Sequence, residues 1–181
     1  MPDKQVRTIS RPEFLVGGSD SQFREFIYDL LIVSTRMEAI RDRIGALVPL
    51  SGFQYHVLSV VSELQKQGPI SVGSVAQVLH AGTTYVTMET RKLERIGYLT
   101  KRSNPDDRRS VLLELTGAGE QALAAIIPQQ CEINDVLFEG LDEKDFKAFR
   151  RLVGRMVGNT SRALERADAH SAAARRTLKA S

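Results

Sequence analysis

Seven basic side chains fall within residues 82–110: Arg91, Lys92, Arg95, Lys101, Arg102, Arg108 and Arg109. Four acids share the segment (Glu89, Glu94, Asp106, Asp107), so its excess equals the +3 of the whole chain. Cations crowded in this way attract phosphate, although on charge alone a solvated surface is an equal reading. Catalysis has less to work with. His56, His80, His170 and Cys131 show no metal-ligand spacing and no nucleophile–base pairing, and no glycine-rich phosphate loop occurs. The expectation is therefore no enzyme, no metal and no cofactor. With one cysteine an intrachain disulfide is impossible, which suits a reducing compartment. The chain is 42% hydrophobic and 26% charged, an ordinary globular balance. No apolar run reaches about 18 residues, and Met1-Pro2-Asp3-Lys4-Gln5 lacks the order of a signal peptide. A soluble cytoplasmic protein is expected.

The elements that must carry the basic segment are legible in the apolar spacing. Residues 1–20, with Pro2, Pro12, Gly17 and Gly18, read as a flexible N-terminal arm. Phe23, Phe26, Ile27, Leu30, Leu31, Met37, Ile40, Ile44 and Leu47 recur at helical steps over 21–48, and Pro49 closes the run. Such a helix is about 40 Å long, more than a small domain needs, and its apolar stripe calls for a partner helix. Ser51 caps a helix to Gln67 and Gly68-Pro69 stops it. Ile70 starts a short extended link, and Ser71 caps a short helix. After Ala81-Gly82 another helix runs to Ile96, with Gly97 as its C′ residue. Two short helices joined by a tight, glycine-containing turn are the signature of a helix-turn-helix. Residues 98–102 and 110–115 are strand-like and flank Ser103-Asn104-Pro105-Asp106-Asp107, which makes a hairpin with a charged tip. A helix-turn-helix followed by such a hairpin is a winged helix. Thr116 caps a helix that Pro128 kinks and Gly140 ends. Asp142 caps the last helix, whose stripe (Phe146, Phe149, Leu152, Val153, Met156, Val157) reaches about Leu164. Residues 166–181 read as a flexible tail. The fold class is mainly α: a winged helix-turn-helix DNA-binding domain at 49–116, with long dimerisation helices at 21–48 and 117–165.

Pro105-Asp106-Asp107-Arg108-Arg109-Ser110, running into Leu115-Thr116 and Gly119, resembles the wing signature of the multiple-antibiotic-resistance regulator (MarR) family. Lys92-Leu93-Glu94-Arg95-Ile96-Gly97-Tyr98-Leu99 is similar to that family's passage from recognition helix to wing, and the order of elements agrees from about residue 21 to 165. Within the resemblance, Met88 stands where an arginine is common, and Glu89 and Thr90 replace apolar residues. The resemblance implies a homodimeric, ligand-responsive regulator of transcription, commonly a repressor. An architectural winged-helix protein that binds DNA without an effector is the alternative.

On that reading Thr83, Thr84, Thr87, Met88 and Arg91 face base edges and phosphates in the major groove, while Val86 and Leu93 point inward. Arg109 reaches into the minor groove from the hairpin tip, steadied by Asp107. Arg108, Lys101 and Arg102 clamp phosphates. Two such domains must sit about 34 Å apart to enter successive major grooves of a palindrome. The terminal helices supply that spacing by burying their stripes across a two-fold axis. The resemblance also implies an effector pocket between the dimerisation helices and the winged helix, commonly filled by an anionic aromatic compound, for which a phenolic acid and its acyl-CoA thioester are both admissible. Arg36 and Arg43 could pair with its carboxylate, while Phe53, Tyr55 and His56 receive the ring. A solvated arginine face and a half-buried histidine suit the same residues. Cys131 has no cationic neighbour in sequence to lower its pKa and is expected to be inert packing.

Overall fold

The computed structural model describes residues 7–105, 107 and 110–180. They divide into two compact units, Met1–Cys131 and Glu132–Ser181.

In the first unit α1 spans Ser21–Gly45 and α2 spans Gly52–Leu64, followed by a 3-10 turn over Gln65–Gln67. The helix expected over 21–48 thus ends three residues early. Gly45 lies against the Ser51 backbone, where even a Cβ would come within 3.0 Å, and Pro49 disfavours helix in the residue before it. Ser51 and Gln54 form a reciprocal capping box: the Ser51 hydroxyl accepts from the Gln54 N–H and the Gln54 carboxamide accepts from the Ser51 N–H. Next come β1 (Ile70–Ser71), α3 (Val72–Val78, capped by the Ser71 hydroxyl) and α4 (Thr83–Arg95). The hairpin is β2 (Leu99–Ser103) and β3 (Val111–Leu115). The short link at Ile70 is a third strand, since Ile70 pairs with Leu113 and the antiparallel sheet runs β1-β3-β2.

Burial follows the sequence periodicity. Val57, Leu58 and Val61 of α2, Val75 of α3, Val86 and Leu93 of α4 and Leu99 of β2 are all enclosed, each worth about 1.5–3 kcal/mol relative to exposure. α4 ends in a Schellman cap, in which the Tyr98 N–H donates to the Leu93 carbonyl and the Gly97 N–H to Glu94, with Gly97 at φ +81. Thr116 starts α5 (Gly117–Leu137), its oxygen accepting from the Gly119 N–H while its hydroxyl donates to the Gly97 carbonyl. One residue therefore ties the hairpin root to the end of α4. The helix assignment of α5 runs unbroken through Pro128.

Two expectations are revised, and the inter-helix turn adds a detail. The left-handed residue of that turn is not its glycine. His80 occupies that place at φ +48, whereas Gly82 is an extended N-cap at φ −64. The arm is folded over its described part, residues 7–20. A 3-10 turn covers Pro12–Phe14, Phe14 meets Phe23, and the enclosed Asp20 carboxylate accepts from the Thr8 N–H and hydroxyl and from Arg24. These bonds hold Asp20 below the usual carboxylate range, those from Thr8 contributing most. Cys131 is exposed rather than packed, because α5 buries only Gly119, Ala122 and Ile126.

The second unit holds α6, Glu143–Ala180, whose first turn Asp142 caps by accepting from the Asp145 N–H. The tail at 166–181 is thus helical through Ala180. From Ser161 onward Ala, Arg, Leu, Glu and Lys predominate and neither Gly nor Pro occurs, so propensity sustains the helix where no apolar face does.

Candidate nucleic-acid interface

The outward side of α4 is built by what its inward side holds. Val86, Glu89, Thr90 and Leu93 are buried, a spacing of three and four that turns the remaining faces to solvent. The two polar members are satisfied. The Glu89 carboxylate accepts from Gln54 Nε2 at 2.9 Å and from Lys92 Nζ at 2.8 Å, and the Thr90 hydroxyl donates to the Thr87 carbonyl. Sequence reasoning placed Glu89 and Thr90 among departures from a pattern, and their burial keeps the helix phase that Val86 and Leu93 predict.

Thr83, Thr84, Met88 and Arg91 are exposed, and Thr87 is half-buried with its hydroxyl donating to the Thr83 carbonyl. Gly82 provides no side-chain cap, so the first-turn N–H groups of α4 have no side-chain acceptor from that position and point along the positive end of the helix dipole. Tyr85 was not among the expected contacts. It is exposed beside them, its ring 4.6 Å from Phe53. An aromatic residue among the threonines of the first helical turn was the signal for it.

A cleft of about 400 Å³ opens where α4 meets the start of α3 and the outer half of the hairpin, lined among others by Ser71, Thr83, Thr87, Arg91, Lys101 and Ser110. The structure thus gathers three expected contacts of the helix with one of the wing. The Lys101 ammonium lies 3.7 Å from the Glu94 carboxylate. Burial lowers its pKa, Glu94 opposes the shift and Arg91 adds to it. Arg102 is not brought to this cleft. Successive strand residues point to opposite faces, and Arg102 borders a separate cleft of about 310 Å³ with Ser71, Ser74 and Asn104. At the hairpin tip Asp107 is exposed and its carbonyl accepts from the Ser110 N–H. Arg108 and Arg109, like Asp106, lie outside the described residues.

The five side chains expected around an effector take different directions. Phe53 faces Tyr85, Tyr55 is buried, Arg36 is exposed, and Arg43 donates to the Ala39 carbonyl of its own helix. His56 instead meets Arg41, an unforeseen residue, with Nη1 and Nδ1 3.4 Å apart. Arg41 Nε is buried without a hydrogen-bond partner. Burial first, and the Arg41 charge second, keep the His56 pKa below its ordinary value. Among the described residues no cluster of His, Cys, Asp and Glu could hold a metal ion, and no helix is long and apolar enough to cross a membrane.

Residues 54–111 match the MarR family model. The transcriptional regulator Hpr of Bacillus mycoides is 31% identical over 87 residues, which are 48% of this chain and 45% of that protein. The chain therefore spans about half the length of that relative. The regulator PecS of Dickeya dadantii is 23% identical over 124 residues, 68% of this chain and 75% of PecS. Among solved structures, Staphylococcus aureus MepR in its DNA-binding conformation superposes with a TM-score of 0.68 at 20% identity, over 75% of this chain and 98% of MepR. That likeness shows the fold.

Proposed function

We propose that this MarR-family chain regulates transcription as a homodimer that binds a pseudo-palindromic operator and is released from it by a small anionic effector. One observation carries the reading: an uncapped recognition helix opens Thr83, Thr87 and Arg91 onto the same cleft as Lys101 in the first strand of the wing. Hydroxyls and a guanidinium on the first turns suit base edges and phosphates, and a cation on the adjoining hairpin suits the flanking backbone. Arg109, two residues beyond Asp107, is assigned to the minor groove on sequence grounds. Likeness to regulators, and to a structure described as a complex of MepR with DNA, supports the same partner.

Repression is the mode, and the effector is an aromatic carboxylate such as a phenolic acid or its thioester. Arg41 and His56 are the anchor favoured here, beside Arg36, Arg43, Phe53 and Tyr55. A buried Nε without an acceptor would gain a charge-assisted bond from a carboxylate.

Footprinting on the DNA flanking the protein's own gene tests the reading. A two-fold symmetric protected site, with Arg109→Ala lowering affinity by about 1–3 kcal/mol, is expected. Protection without sequence preference would instead favour the architectural alternative.

A further inference from the structure

The basic excess of this chain is not confined to the wing. Residues 143–180 carry ten Lys and Arg against four Asp and Glu, an excess of six, so the rest of the chain is net acidic. Nor are these cations scattered. Lys144, Lys147, Arg151, Arg155, Arg162, Arg166 and Arg176 follow steps of mostly three, four and seven, which keep them within an arc of roughly 100° on one side of α6. Ala148, Gly158, Ala169 and Ala173 occupy gaps in that arc, and Glu165, in line with Lys147 at its edge, is the one acid within it. The seven are exposed. Among the described residues, one of them has an ion-pair partner, Lys147 with Glu143. The stripe extends for about 48 Å. Opposite it lie Phe146, Phe149, Val153 and Met156.

We propose that this stripe is a second nucleic-acid surface, one that binds the phosphate backbone of duplex DNA without reading its sequence. A row of mostly unpaired cations on a straight rod is complementary to a row of phosphates, and the attraction is the counterion-release kind that sequence does not modulate. An anionic membrane is the other polyanion such a row could meet, and the opposite face argues against it. Beyond Leu164 that face is Ala167, Ser171, Ala174 and the exposed Leu178, one large apolar side chain and too little area to insert, although the cations continue past it. None of the stripe's residues belongs to the winged helix, so the proposal stands or falls independently of the operator.

The full-length protein is titrated with a non-operator duplex long enough to lie along the stripe, over a range of salt. The comparison is the triple variant Arg151→Gln, Arg155→Gln, Arg162→Gln. Each lost phosphate contact removes about 0.9 from the salt slope, so the slope is expected to fall by about two to three and low-salt affinity by about tenfold or more. Arg166→Gln with Arg176→Gln, placed where the opposite face is Ala and Ser, keeps the test valid if the triple variant alters assembly. These two should lower the slope by about two. An unchanged slope in variants of native helicity overturns the proposal. So does loss of binding to phosphatidylserine-containing vesicles while duplex binding persists.

Discussion

Glu89 is the residue through which the inner face of α4 is bonded to the start of α2. Its enclosed carboxylate takes a hydrogen bond from Gln54 and an ion pair from Lys92, and the same Gln54 side chain completes the capping box of α2. One carboxamide therefore couples the start of α2 to the inner face of α4. Glu89→Ala leaves the Gln54 amide without that acceptor at a half-buried site, and an unmade bond there costs about 1–3 kcal/mol. Urea unfolding should show that loss, with Glu89→Gln, which keeps an acceptor, losing clearly less. Equal losses would mean that packing and not the hydrogen bond matters. The sequence shows Glu89 beside Thr90 on the face of Val86 and Leu93 and no more, since its partner is 35 positions away and only the tertiary fold brings it near. The same limit hid Arg41, whose meeting with His56 depends on how α1 crosses α2. Val86 and Leu93 were legible because seven-residue spacing is a property of the helix alone.

At the scale of elements, two joints hold conformations that the sequence disguised. The turn between α3 and α4 places His80 in the left-handed region, where a Cβ costs about 1–2 kcal/mol. Glycine two residues later drew attention away from it. Its Ala81 N–H still closes onto the Ala76 carbonyl, so the geometry is that of a glycine-type helix end. Replacing His80 with glycine removes the steric cost and adds chain entropy to the unfolded state, a net stabilisation of about 0.5–1 kcal/mol. A raised denaturation midpoint is the expected reading, and a lowered one would show that the imidazole makes a stabilising contact. The second joint is the arm on α1. Asp20 lies below its ordinary pKa because Thr8 and Arg24 stabilise its charged form. A depressed carboxylate stabilises the fold above its unfolded pKa of about 3.9, and that contribution fades as pH falls through the folded value. The protection factor of the Thr8 amide, which divides out the intrinsic pH dependence of exchange, should therefore fall on acidification below about pH 4. In Asp20→Asn it should be low already at neutral pH and change little with acid. Proline and paired glycines made residues 1–20 read as loose, but the single carboxylate that gathers the segment has no periodic signature.

The whole molecule leaves much apolar surface in water. On α1, Phe26, Leu31, Ile32 and Met37 are about half exposed, Leu31 by 59%, and on α6 Phe149 is exposed by 48% with Leu152 and Met156 beside it. Large contiguous apolar faces on a protomer mark a contact surface, and both stripes were visible in the sequence because three- and four-residue steps need no tertiary information. Residues 166–180 carry no apolar stripe, so periodicity reads them as tail. Alanine and arginine propensity keeps them helical through Ala180. If the stripes close a homodimer, the operator is held by two winged helices joined as one ligand, and the second engages at the effective concentration set by the first. Placing a like charge in the middle of each stripe, Leu31→Glu with Phe149→Asp, buries unpaired ions in any such interface and should yield monomers in sedimentation equilibrium. The winged helix, whose core of Val57, Leu58, Val75, Val86 and Leu93 belongs to the first unit alone, should stay folded by near-ultraviolet and NMR criteria. Affinity for a full palindrome should then drop by about 10²–10⁴, the advantage that joining two modules confers, while affinity for a half-site stays as it was. A monomer that binds the palindrome as tightly as the parent protein would remove the dimer from the mechanism.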